Sequence, residues 1–100
     1  MITIENFENG KTINKEIATQ YLLGETIFKG EEGEYIVDFQ QEDEKTSVTI
    51  DFNRKCIFNE IWEYDFTFQS FLDELHRQNL EEIEEQIYDF IIEKAEIENQ

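Results

Sequence analysis

Proline is absent from the 100 residues, and cysteine, histidine, methionine and tryptophan occur once each. A single cysteine, Cys56, excludes an internal disulfide. A single histidine, His76, leaves no second imidazole for a zinc or iron site. The longest purely apolar runs are a few residues, as at Phe90-Ile91-Ile92, whereas a membrane span takes about 20. No secretory signal opens the chain and no Asn-x-Ser/Thr acceptor occurs, so a reducing cytoplasm is the expected location. Arginine and alanine number two each against 14 isoleucines, a bias that fits an AT-rich genome, such as a low-GC bacterium or its phage.

What the chain has is core material and negative charge. Hydrophobic residues make up 39% and aromatics 14%, more than disordered acidic chains carry, so one folded domain over residues 1–100 is expected. Against 25 Asp and Glu stand 8 Lys and Arg, a net charge of −17. Small soluble domains do well with a magnitude of about 8 or less. Such a field repels nucleic acid and anionic membranes alike and favours a basic protein surface. The charge is also uneven: residues 1–30 carry a net of −1 and residues 31–100 a net of −16.

Periodicity divides the chain into a mixed start, a β middle and a helical end. Ile2-Thr3-Ile4 alternates and precedes the turn dipeptide Asn9-Gly10. Asn14 suits the cap of a short helix over Lys15 to Leu23, with Gly24 at the position where helices end. A meander is then expected: Thr26 to Lys29, the turn Gly30 to Gly33, Glu34 to Gln40, the polar turn Gln41 to Lys45, the strand through Val48, Ile50 and Phe52, the turn Asn53 to Lys55, and Cys56 to about Phe66. Along the last strand Phe58, Trp62, Tyr64 and Phe66 fall on one face, with a bulge expected near Glu60.

From Phe68 the period becomes helical, with Phe68, Phe71, Leu72 and Leu75 on one face behind an N-cap at Thr67. A second helix is expected to start at an Asn79 cap with Glu82 at its third position, burying Leu80, Ile83, Ile87, Phe90 and Ile91. Its other faces would carry Glu81, Glu82, Glu84, Glu85, Asp89, Glu93, Glu96 and Glu98. The fold class is therefore α+β: a three- to four-stranded antiparallel meander with a short N-terminal helix and two C-terminal helices packed on the sheet.

Little points to catalysis. His76, one turn after Asp73, reads as a half-exposed surface histidine, and Cys56 as a small half-buried hydrophobe. Acids in Gly30-Glu31-Glu32-Gly33 would repel phosphate. Asp43-Glu44-Lys45 matches half of a metal-dependent nuclease motif but falls in a turn without an upstream acid. Neither acidic turn has EF-hand spacing. No enzyme activity, metal or cofactor is expected.

The acid pattern is what calls for a function. Glu81, Glu85 and Asp89 stand at i, i+4 spacing, a repulsive series whose members rise about 6 Å apiece along the axis. That rise is near the spacing of phosphates along a nucleic-acid strand. More acids gather at Glu31, Glu32 and Glu34 and at Glu42, Asp43 and Glu44. Trp62, beside Glu60, Glu63 and Asp65, is the expected aromatic anchor of an acid-rimmed patch. The plain alternative is a solvated acidic face with the aromatics in the core.

In size, charge and lack of catalytic groups the chain resembles, as a class, the small acidic inhibitors encoded by phage, both anti-restriction and anti-CRISPR proteins. The resemblance matches no motif and carries over no residue. It implies nucleic-acid mimicry against a nuclease, such as an RNA-guided DNA nuclease with a basic channel. An immunity or antitoxin protein against a basic nuclease toxin, or a regulatory partner without mimicry, fits the same charge.

Overall fold

A computed structural model describes residues 21–98, with side-chain surroundings through residue 94. The expected strand at Ile2–Ile4, the Asn9-Gly10 turn and most of the N-terminal helix lie outside the described residues. Tyr21 and Leu22 have helical backbone, and Gly24 follows at φ +88, the left-handed conformation in which glycine ends a helix without strain. The described residues form two compact units, one over Leu22–Phe66 and the other holding Tyr21 and the residues from Thr67 on. The class is α+β.

The first unit is a four-stranded antiparallel sheet in sequence order: β1 (Gly24–Lys29), β2 (Glu34–Glu42), β3 (Lys45–Phe52) and β4 (Lys55–Glu63). Side chains alternate as the sequence requires. Phe28, Tyr35, Val37, Phe39, Val48, Ile50 and Phe58 are buried on one face, each contributing about 1.5–3 kcal/mol. The register pairs Val37 with Ile50 and Ile50 with Phe58, so a slip by one residue would turn this face outward. Aromatic rings extend the face: Trp62 meets Phe66 edge-on at 5.4 Å, and Phe66 meets Phe39 at the same distance.

The turns are tighter than expected. Only Asp43 and Glu44 separate β2 from β3, and Asp43 takes φ 55. Asn53 and Arg54 link β3 to β4 with φ 51 and 72, the doubly left-handed geometry that suits the twist of a two-residue hairpin. Asn53 also ties two turns together. Its Oδ1 accepts from the Glu34 N–H at 3.2 Å, and its backbone N–H donates to the Glu34 carbonyl at 3.1 Å. The bulge lies between Ile50 and Asp51, opposite Cys56–Phe58, and not at Glu60. Here the single-residue loss of register falls next to the tight turn and leaves Ile57 without a partner on β3.

The second unit is a helical hairpin of α1 (Phe68–Arg77) and α2 (Glu81–Glu98), which pack against each other. Thr67 caps α1 as expected. Its hydroxyl accepts from the Ser70 N–H at 3.0 Å, and Ser70 Oγ accepts from the Thr67 N–H at 3.1 Å. Phe68, Phe71, Leu72 and Leu75 are all buried.

Asn79 does not cap α2. It ends α1 at φ 62, its N–H bonded to the His76 carbonyl while the Leu80 N–H reaches the Leu75 carbonyl. This double closure satisfies two end carbonyls of α1, a role that asparagine can fill as well as it can fill an N-cap. Helix α2 therefore starts at once from Leu80, with Ile83, Ile87 and Ile91 buried along its stripe.

Candidate protein-binding surface

Antiparallel order places the β1–β2 and β3–β4 turns at one end of the sheet and the β2–β3 turn at the other. The two acidic turns are thus held apart, and their surroundings differ. Glu31, Glu32 and Glu34, all exposed, share their end with Lys29, Arg54 and Lys55. Lys29, Glu34, Ile36, Asn53 and Arg54 line a shallow basin of about 550 Å³ there. Acid and base balance at that end, which makes it the weaker candidate.

The opposite end has an excess of acid. Glu42, Asp43 and Glu44 are exposed, and register brings Glu63 beside Lys45, with their charged atoms 3.7 Å apart. Asp65 follows in the exposed connection after β4. Five carboxylates therefore share this end with one lysine, and Glu42, Asp43, Glu44, Lys45 and Tyr64 line a pocket of about 330 Å³.

Tyr64 corrects the expectation for the aromatics. Strand β4 ends at Glu63, and Tyr64 turns to φ 71 with its N–H donating to the Glu44 carbonyl at 2.9 Å. That rotation takes its ring off the face shared by Phe58 and Trp62 and leaves the residue 76% exposed. Trp62, the expected anchor, is half-buried and stacks 6.5 Å from Phe58. The exposed ring among the acids is therefore Tyr64, in a backbone conformation that bulky residues seldom adopt. Alternation alone continues the strand through residue 66 and so hides this turn; Asp65 beside Tyr64 is the only sequence cue for it.

On α2 the expected series holds its place. Glu81, Glu85 and Asp89 are exposed, and Glu93 continues the row. Among the described residues no basic side chain pairs with any of the four. Arg77 pairs with Glu74 on α1, and Lys94, the one base on α2, lies over the Phe90 ring at 5.5 Å. Among the described residues, nothing offsets the mutual repulsion of the row.

Glu84 departs from the expected solvent-facing set. It is 2% exposed, with Oε1 3.4 Å from His76 Nδ1, while Oε2 is buried with no hydrogen-bond partner among the described residues. The turn at Asn79 brings residue 84 back against residue 76, a contact across the hairpin that one-helix periodicity does not show. His76 keeps 41% of its side chain in solvent, as expected. The pair joins the two helices and reaches solvent only through the imidazole.

Cys56 is exposed and not half-buried, because the bulge after it breaks the alternation that would have turned it inward. Its Sγ lies 3.5 Å from the Phe58 carbonyl. Among the described residues no group of three His, Cys, Asp or Glu side chains is placed to hold a metal ion, and no helix is long and apolar enough to cross a membrane. No protein-family model, curated protein or solved structure matches the chain, so its surface is the ground for any functional reading.

Proposed function

We propose that the protein is an acidic inhibitor that binds the basic, nucleic-acid-binding surface of another protein. The observation that carries the reading is the row of exposed carboxylates at Glu81, Glu85, Asp89 and Glu93 with no basic partner among the described residues. Like charges at i, i+4 cost about 0.2–0.5 kcal/mol per pair. A row that costs stability and is not neutralised by any described residue suits neutralisation by lysines and arginines of a partner. The acidic sheet end, with Tyr64 as its exposed ring, supplies a second contact of the same sign.

In its most specific form, the partner is an RNA-guided DNA nuclease of a bacterial host, and the carboxylate row occupies the channel that receives DNA phosphates. Electrostatic steering then makes association fast and salt-sensitive. The test is a DNA-displacement assay on the nuclease recovered from host lysate with the immobilised chain. Displacement of duplex DNA by the wild-type chain, and its loss in the triple variant E81K/E85K/D89K, supports the reading. A recovered partner that still binds and cleaves DNA at saturation with the chain overturns it.

A further inference from the structure

Among the described residues strand β4 is an edge of the sheet, and its last five residues carry no proline, lysine or bulge. The one hydrogen bond that fixes the direction of its backbone groups is Tyr64 N–H to the Glu44 carbonyl at 2.9 Å. Backbone groups alternate with period two along a strand, so residues 60 and 62 also turn toward β3. The N–H and C=O groups of Asn59, Ile61 and Glu63 consequently turn outward, and no described strand pairs with them. All three residues are exposed, Ile61 at 61%.

Natural edges are blunted by proline, charge (lysine above all), a bulge, shortness or a covering element. In β4, Lys55 and the bulge at Ile57 protect only the beginning. The other edge, β1, is six residues long and ends in Lys29, whereas β4 has nine. Asn59–Glu63 thus has neither proline, lysine nor bulge, its one charge on the core side being Glu60 opposite Val48, and it runs directly into Tyr64, Asp65 and the Glu42–Glu44 turn.

We infer that Asn59–Glu63 accepts an extended, basic segment of the partner protein as a fifth strand. Main-chain hydrogen bonds to Asn59, Ile61 and Glu63 hold it, an apolar side chain covers Ile61, and lysine or arginine falls beside Glu63 and the acidic turn. Charge decides the occupant. A second copy would bring another net −17 to the same edge, whereas a basic strand neutralises it. The inference rests on the proposal that the partner is basic, and adds how that partner is held.

The probe is a fluorescein-labelled nine-residue peptide alternating lysine with valine, read by anisotropy at about 20 mM salt, with two isomers N-methylated on alternate amides. Pairing with an edge uses every second amide, so one isomer should bind within twofold of the parent peptide and the other at least tenfold more weakly. I61P removes an outward-facing N–H, a position where an edge tolerates proline, and should likewise weaken the parent peptide at least tenfold. The peptide isomers decide the matter even should that variant unfold. Equal binding of both isomers overturns strand addition while leaving a basic partner standing. No binding of the parent peptide at low salt overturns the basic-partner reading itself. Sedimentation should give a monomer; a dimer that I61P dissociates replaces the basic strand by a second copy and overturns the inference.

Discussion

Replacing Asp89 by lysine should make the protein more stable while weakening its binding. Asp89 is exposed on α2, with Glu85 one turn before it and Glu93 one turn after. In the wild type both neighbours repel it; in D89K both attract. Two repulsions removed and two attractions gained amount to about 1–2 kcal/mol at low ionic strength. Lysine is also the better helix former of the two. For a domain of this size each kcal/mol moves the melting temperature by about 4–8 °C. Circular dichroism at 222 nm in about 20 mM salt should therefore show a clear rise in Tm. Most of the gain should vanish in 1 M NaCl, where the Debye length is about 3 Å. An unchanged or lower Tm at low salt refutes the reasoning, because it means that the row is already neutralised within the fold.

Y64G should act in the same sense at the sheet end, relieving the left-handed conformation at φ 71 by about 1 kcal/mol in urea unfolding while lowering affinity for a basic partner. A loss of stability instead would show that the ring is needed for folding. H76A removes the imidazole from the buried Glu84 carboxylate and should cost about 1–3 kcal/mol. H76A/E84L should recover most of that, because it removes the buried carboxyl together with its partner; no recovery would deny that the pair is the cause. In G33A the new Cβ would fall 2.2–2.6 Å from the Asn53 amide, so Asn53 must release the Glu34 N–H, at about 1–2 kcal/mol by urea unfolding. A neutral G33A would mean that the two turns are not tied.

Local chemistry made most of the fold legible in the sequence. Tyr35, Val37 and Phe39, then Val48 and Ile50, alternate because a half-buried sheet demands it, and Phe68, Phe71, Leu72 and Leu75 keep helical spacing behind a threonine cap. What stayed hidden depends on contacts between elements or on residues with two uses. Asparagine caps either end of a helix, so Asn79 read as a start when it is a stop. The Glu84–His76 contact exists only once that turn closes the hairpin. Cys56 and Tyr64 fall where alternation breaks, at a bulge and at a left-handed residue, and periodicity assumes that neither occurs. The acid row on α2 was legible by spacing alone. That the two acidic turns lie at opposite ends, one of them balanced by Lys29, Arg54 and Lys55, required the sheet topology.

The central claim is that exposed carboxylates are recognised by a basic, DNA-binding protein. Its most direct measurement is the salt dependence of displacement: labelled duplex DNA is titrated off the recovered nuclease by the wild-type chain and by E81K/E85K/D89K, from about 50 to 500 mM salt. The predicted result is displacement by the wild type whose affinity falls by orders of magnitude across that range, and none by the triple variant at any salt. Displacement that ignores salt, or that the triple variant retains in full, contradicts it.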